Sequence, residues 1–235
     1  MQTPNDILIH DELEACPYLP DRVARLPLRV PSSAVSEGDI DARLARGERR
    51  TGEFVYVTQC PRCQACQPIR LLINEFRMNA TMRKTLRKNN ARLRVKQAEV
   101  SASANRVDLF NRHRQLRQLG QTSVRIDVDD YAWAFARSCF HSFELTYWLG
   151  ERLVGVAIMD EGRHSLSAVY TYYDPDYSKL SLGTWSILRQ VQLGRDTGKR
   201  YLYLGFYIIG CDRMDYKSRF VPHERLIGGA WQRFD

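Results

Sequence analysis

Nowhere in these 235 residues does an apolar run approach the roughly 18 that a membrane span needs, so a spanning helix is excluded. A basic then apolar leader is also lacking, because Asp6, Asp11 and Glu12 interrupt the opening stretch, and a cytoplasmic protein is expected. There is no internal repeat and no low-complexity tract. Histidine is scarce: His10, His113, His141, His164 and His223 are scattered, and no Ser/His/Asp constellation is evident. No helix-turn-helix or RNP motif occurs, which argues against a sequence-specific nucleic-acid reader. Cysteine is limited to six, and three of them crowd into residues 60–66. A disulfide framework would spread its cysteines, so a reducing compartment and a metal or redox site suit this spacing better.

What the chain does carry is positive charge. Its formal net charge is +8 and its pI about 9.3, a balance that favours polyanionic partners. Residues 1 to about 75 are rich in Pro and turns. Strand-like runs at 54–58 and 69–73 flank the cysteines and read as a hairpin with a cysteine-bearing tip. Asn79 caps a basic helix at 80–89 that ends at an Asn pair. A short strand follows at 93–95. Val107, Leu109, Phe110, Leu116 and Leu119 then fall at helical spacing, with Gly120 as a stop. A second helix is predicted from Asp129, with Tyr131, Phe135 and Cys139 on one face. Strands are predicted at 143–149, 153–160 and 165–173, then a loop at 174–183. Trp185, Leu188 and Val191 form a helical stripe that stops at Gly198. A strand at 201–205, a short helix within 212–220 and an extended piece near 224–227 complete the chain.

This order predicts an α+β fold. A small N-terminal cysteine-bearing domain with the basic helix, residues 1–90, precedes a GNAT-like acyltransferase domain, residues 91–235, with a mixed, mostly antiparallel sheet. A mixed sheet of other connectivity is the alternative. In the GNAT-type arrangement a strand runs into a loop and helix whose N-terminal amides hold the donor. Ser181, Leu182, Gly183 and Thr184 occupy that place here.

Several blocks match a known family in order and spacing. They are Cys16-Pro17-Tyr18; Cys60-Pro61-Arg62-Cys63-Gln64-Ala65-Cys66-Gln67-Pro68-Ile69-Arg70; Tyr172-Tyr173-Asp174-Pro175; Ser181-Leu182-Gly183-Thr184; 201–208; and 214–222. The chain thereby resembles the bacterial branch of the arginyl-tRNA–protein transferase family. The resemblance implies transfer of leucine from Leu-tRNA onto proteins that begin with Asp or Glu, which marks them for degradation. It implies no nucleotide cofactor. Eukaryotic members carry a second cysteine where this chain has Leu19, so their metal or redox chemistry is not carried over.

Cys60, Cys63 and Cys66, with Cys16 as a fourth ligand, suit zinc or an iron–sulfur cluster; reduced thiols packed in a loop are the other reading. Between Glu75 and Glu99 the chain has no acid. Arg83, Lys84, Arg87 and Lys88 in that stretch read as a phosphate-binding strip, for tRNA if the resemblance holds, which Arg43, Arg46, Arg49 and Arg50 would extend. An aminoacyl ester is already activated, so transfer needs alignment, an oxyanion site and a proton path rather than a nucleophilic side chain. Tyr170, Tyr172, Asp174 and Tyr216 are the candidates for that path, each weighed against a plain sheet or surface role. Arg70 and Lys217 are the candidates to hold an acidic acceptor side chain. Three alternatives stay open: arginine as the transferred residue, with Asp174 or Asp215 as its counter-charge; a tRNA-binding module without transfer; and an acetyl-CoA enzyme. The last would need a pyrophosphate loop, of which 178–183 retains one glycine.

Overall fold

The strands Ser142–Leu149 (β9), Arg152–Glu161 (β10) and Ser165–Tyr173 (β11) form where the sequence predicts them, in an antiparallel meander. In the computed structural model, which describes residues 6–117 and 124–235, they are the middle of an eight-stranded sheet. In chain order the other strands are β1 (Ile7–His10), β2 (Leu13–Ala15), β3 (Val23–Arg25), β4 (Leu28–Val30), β5 (Arg49–Thr51), β6 (Phe54–Tyr56), β7 (Cys66–Leu72), β8 (Arg94–Glu99), β12 (Tyr201–Ile208), β13 (His223–Ile227) and β14 (Ala230–Phe234). The helices are α1 (Glu37–Ala45), α2 (Ala80–Asn90), α3 (Ala104–Leu116), α4 (Val128–Tyr131), α5 (Leu182–Asp196) and α6 (Asp212–Asp215). The large sheet runs β14-β13-β7-β12-β11-β10-β9-β8, antiparallel except for β11 and β12, so it is mixed and mostly antiparallel as expected. β1, β4, β6 and β5 make a smaller sheet.

Helices cover both faces of the large sheet. On one, Met82 and Leu86 of α2 and Trp185, Leu188 and Val191 of α5 pack with Leu145, Tyr147, Leu202 and Leu204. Trp185 is fully buried, and truncating such a side chain costs about 3–5 kcal/mol. On the other face Phe110 of α3 meets Tyr131, Phe135, Tyr170 and Tyr172. Ile40 and Leu44 of α1 pack with Val55 and Tyr203 nearby on that face.

Four details depart from the sequence reading. β6 and β7 do not form a hairpin: β6 pairs with β5 across the tight turn at Gly52 (φ +55°), while β7 enters the large sheet between β12 and β13. A two-residue turn closes more readily than a long cysteine loop, and the five interior residues of β7 are buried, as a central strand requires. β7 also means that the large sheet draws on both sides of residue 90. The helix predicted from Asp129 is capped by Asp127 instead, through a capping box with Asp130, and its second turn is π-helical over Ala132–Ala136. Cys139 lies beyond it, beside Phe140. α1 and β14 add elements the reading lacks. Leu119 and Gly120 lie outside the described residues.

Candidate functional site

β11 and β12 share register only across residues 165–167 and 201–203. Beyond that point each strand carries an irregularity. On β11 the register against β10 slips so that Val169 is extra; on β12 it slips around Gly205, whose φ is +82°. Both bulges bend the strands where they part. A gap between parallel strands is thus built into the sheet.

α5 begins beside the end of β11. Ser181 precedes it in the left-handed region (φ +50°) and its side chain makes no capping bond, so the N–H groups of Leu182, Gly183 and Thr184 open the helix as its orphan donors. A non-glycine residue held there costs about 1–2 kcal/mol, a strain that marks functional loops. Leu182 is buried and contributes only backbone. A side chain on Gly183 would come within 3.3 Å of the Tyr173 ring, so glycine lets the loop lie on that ring. Tyr216, 39% exposed as a residue, stands near Tyr173; partial burial of its hydroxyl and then Tyr173 raise its pKa, so it stays protonated and able to donate. Thr184, Tyr216, Arg219 and Phe220 close a pocket of about 140 Å³ with Asn79, Thr81 and Met82 from the start of α2. Among the described residues no carboxylate lines it.

α2 carries the basic strip. Asn79 accepts from the Met82 N–H at 2.9 Å, and Met82, Leu86 and Asn89 face inward. Arg83, Lys84, Arg87 and Lys88 therefore share the solvent face, and none has a carboxylate within ion-pair distance among the described residues. The Asn pair ties this helix to the loop that opens α5: the Asn89 side chain donates to the Leu180 carbonyl at 2.6 Å, and Trp185 Nε1 donates to Asn90 Oδ1 at 2.9 Å.

The gap does not gather every residue the sequence nominates. Tyr170 turns to the opposite face, against Phe110 and Phe135, and its burial raises its pKa. Tyr172 hydrogen-bonds Tyr131 there at 2.6 Å. Asp174 is corrected to a brace: Arg112 and Arg152 hold its two oxygens (3.1 and 2.7 Å) and it accepts from the Asp176 N–H. A carboxylate so engaged is a poor proton relay and a poor counter-charge for an arginyl group; Asp215 is exposed. Arg70 is likewise spent. Its Nε donates to Glu224 at 2.6 Å, Nη1 donates to the Tyr203 hydroxyl, and its plane sits 4.0 Å from both Tyr201 and Trp231 ring centroids. Arg43 pairs with Asp6 and Glu48, Arg46 with Glu48, and buried Arg50 with Asp160, so these do not extend the basic strip.

Lys217 and Arg49 differ from all of these. Lys217 is 7% exposed and donates to the Phe206 carbonyl at 2.7 Å; burial, then Arg49, pushes its pKa down to about 7. Arg49, 8% exposed, donates to Ser167 Oγ and the Ala168 carbonyl, both at 3.0 Å, on the β11 side of the gap. The sequence reading offers Arg49 as an extension of the phosphate-binding strip, whereas β5 buries both Arg49 and Arg50. Tyr173, Met82 and Phe220 were missed, being apolar or aromatic residues of unremarkable spacing.

Cys66 is buried enough to push its thiol up to about 12, with Cys60, Cys16, Cys63 and Cys211 contributing electrostatically in that order. Cys16, Cys60, Cys63 and Cys66 are all free thiols, ligands that suit zinc or an iron–sulfur cluster in chemistry. Among the described residues no three such side chains stand at ion-sharing spacing. No helix among them is long and apolar enough to cross a membrane.

Two family models match the chain: the N terminus of arginine-tRNA-protein transferase over residues 14–84 and its C terminus over 105–227. An aspartate/glutamate leucyltransferase of Chromobacterium violaceum is 36% identical over 217 residues, covering 92% of this chain and 89% of that protein. Enzymes of the same name from Acinetobacter baumannii and Vibrio vulnificus are each 32% identical, over 94% and 92% of this chain and 81% and 92% of their own lengths. Among solved structures, FemX aligns with a TM-score of 0.48 at 8% identity, covering 87% of this chain and 81% of FemX. The C-terminal domain of a lysylphosphatidylglycerol synthetase from Agrobacterium fabrum aligns at 0.45 and 12%, covering 66% and 50%. Neither likeness carries weight for function.

Proposed function

This chain belongs to the arginine-tRNA-protein transferase family, and from that premise we propose that it moves leucine from Leu-tRNA onto the α-amine of proteins beginning with Asp or Glu. It is an aminoacyltransferase whose substrates are an aminoacyl-tRNA and a protein. Drawing on charged tRNA sets its work in the cytoplasm.

The pocket beside α5 carries the choice of leucine. It is walled by Met82 and Phe220, holds no acid and has Arg219 on its rim. A cavity near 150 Å³ accepts a benzene-sized group, so about 140 Å³ suits an isobutyl side chain. A guanidinium would meet a like charge and no counter-charge, an arrangement that burial makes costly. The basic face of α2 leads tRNA phosphates to this pocket.

In the reaction the acceptor nitrogen bonds to the leucyl carbonyl carbon and the ester C–O bond breaks. The amine loses one proton and the departing ribose oxygen gains one, with the Tyr216 hydroxyl handing its own proton to the oxygen and taking the amine's. The N–H groups of Leu182, Gly183 and Thr184 are assigned to the developing oxyanion, as preorganised helix-end donors. The protonated hydroxyl of Tyr216 is assigned to the ribose oxygen. Cys16, Cys60, Cys63 and Cys66 are proposed to share a metal or cluster whose contribution is to hold the first segment of the chain together.

Incubation with labelled Leu-tRNA or Arg-tRNA and peptides beginning with Asp, Glu or Ala tests this. Leucine should appear on the Asp and Glu peptides alone. Arginine transfer would overturn the donor assignment, and transfer to no peptide would leave a tRNA-binding module.

A further inference from the structure

Arg49 and Lys217 reach the gap from different parts of the chain and meet there. Arg49 comes from β5, 118 residues from its partner Ser167 on β11. Lys217 comes from the turn after α6 and bonds to β12. A Cβ built on Gly205 would stand 3.6 Å from Arg49 Nη2 and 3.7 Å from Lys217 Nζ. The point between the two cations is therefore the point a side chain at 205 would fill, and glycine keeps it open.

Among the described residues neither cation has an acid within ion-pair distance; Asp160, the nearest to act on Arg49, is itself paired with Arg50. Arg49 bonds only to a hydroxyl and a carbonyl, and Lys217 to a carbonyl and the Met214 sulfur (3.4 Å). Each is more than nine-tenths buried. Other buried arginines of this chain, Arg43, Arg50 and Arg70, all have carboxylates. Two like charges side by side in a desolvated gap, with neutral partners only, cost more than one, and folding alone offers no return for them. Arg49 also has donors to spare, since a guanidinium has five N–H groups and two are committed here.

We propose that Arg49 and Lys217 form the two walls of a buried carboxylate site, with Gly205 as its open floor, that receives the side chain of the acceptor's first residue. This rests on the transferase reading above. The charge is a carboxylate of the acceptor rather than a phosphate of the donor because of where Arg49 is rooted; Lys217 reaches the same point from the turn whose Tyr216, Arg219 and Phe220 line the donor pocket, and so joins the two sides. Arg49 belongs to the face that holds α1 and Tyr203, whereas α2, α5 and the pocket pack on the face of Leu202 and Leu204. Donor and acceptor then enter the gap from opposite faces, and the acceptor amine, one or two bonds beyond the anchored carboxylate's stem, is brought toward the α5 N-terminus.

The test measures kcat/KM for peptides beginning with Asp and with the isosteric Asn, in the full chain and in Arg49→Gln, Lys217→Met and Gly205→Ala, alongside Kd for Leu-tRNA. Losing one partner of a desolvated charge pair predicts that the Asp/Asn ratio falls about 30-fold or more in the first two variants, with Asn transfer and tRNA affinity nearly unchanged. Misfolding would lower Asp and Asn rates together. Gly205→Ala retains both charges, its folding checked by Leu-tRNA affinity because φ at 205 is +82°; it should raise KM for Asp peptides selectively. An unchanged ratio in folded variants overturns the site. Loss of tRNA affinity in Arg49→Gln would assign the cations to the donor and overturn it equally. Absence of transfer by the unmodified chain would instead strike the transferase reading itself.

Discussion

The Asn89 side chain donates to the Leu180 carbonyl at 2.6 Å, joining the inward face of the basic helix to the loop that opens α5. The residue is buried, so its amide has no water to fall back on. The same helix thus presents cations outward and positions the donor loop inward. In the proposed function, binding a tRNA and aligning its ester would be coupled through one hydrogen bond and the Trp185–Asn90 contact beside it.

Asn89→Ala should separate the two tasks. It leaves a buried carbonyl unpaired, a loss of about 1–3 kcal/mol in stability. Since Arg83, Lys84, Arg87 and Lys88 remain, Kd for Leu-tRNA should hold while kcat falls about tenfold or more through misalignment of the loop. Single-turnover transfer and filter binding, measured together, check it; a weaker Kd with unchanged kcat would break the proposed coupling.

Replacing Arg83, Lys84, Arg87 and Lys88 by Ala should weaken tRNA binding without unfolding the protein, because all four side chains are exposed. Each lost phosphate contact removes roughly 0.7–0.9 from the slope of log K against log salt, so the slope should shrink by about 3. A salt titration of binding decides it, and an unchanged slope would take α2 out of the interface.

How far the sequence discloses this site depends on the distance between partners. The stripe Trp185, Leu188, Val191 and the cap at Asn79 are local patterns, and both appear where predicted. The donor loop follows from them, since a helix start is a backbone property. Arg70 has an aromatic clamp, Tyr201 and Trp231, more than a hundred residues away, and periodicity says nothing about such a clamp. The same holds for Arg49: next to Arg46 and Arg50 it reads as part of a phosphate-binding strip, while its partners Ser167 and Ala168 lie more than a hundred residues away. Asp174 lay in a matching block yet serves as an anchor for Arg112 and Arg152, so block membership alone did not distinguish bracing from chemistry.

The cysteine loop makes a prediction about metal. Anaerobically purified protein should contain zinc or iron in stoichiometric amount, and a chelator should lower its Tm, since binding free energy at such a site adds to folding free energy. Cys63→Ser should lose the metal while the α2–α5 face stays folded, as judged by Leu-tRNA affinity. Folded, active, metal-free protein would return these cysteines to packing.

Lys217 sets function against stability, and pH exposes the conflict. Folded, burial and Arg49 hold its pKa at about 7, against 10.5 for a free lysine. Between those values the unfolded chain binds the extra proton, so this residue makes stability rise with pH across that window; below about 7 both states are charged and the burial penalty is complete. Lys217→Met should therefore be more stable than the unmodified chain near pH 6, by about 1–2 kcal/mol as for other functional residues whose removal relieves strain. Its advantage should shrink toward pH 10. Urea unfolding at pH 6, 8 and 10 measures this, and a variant less stable at pH 6, or a difference independent of pH, would contradict it. An acceptor peptide beginning with Asp supplies the missing counter-charge, so it should raise the Tm of the unmodified chain and leave that of Lys217→Met nearly unmoved.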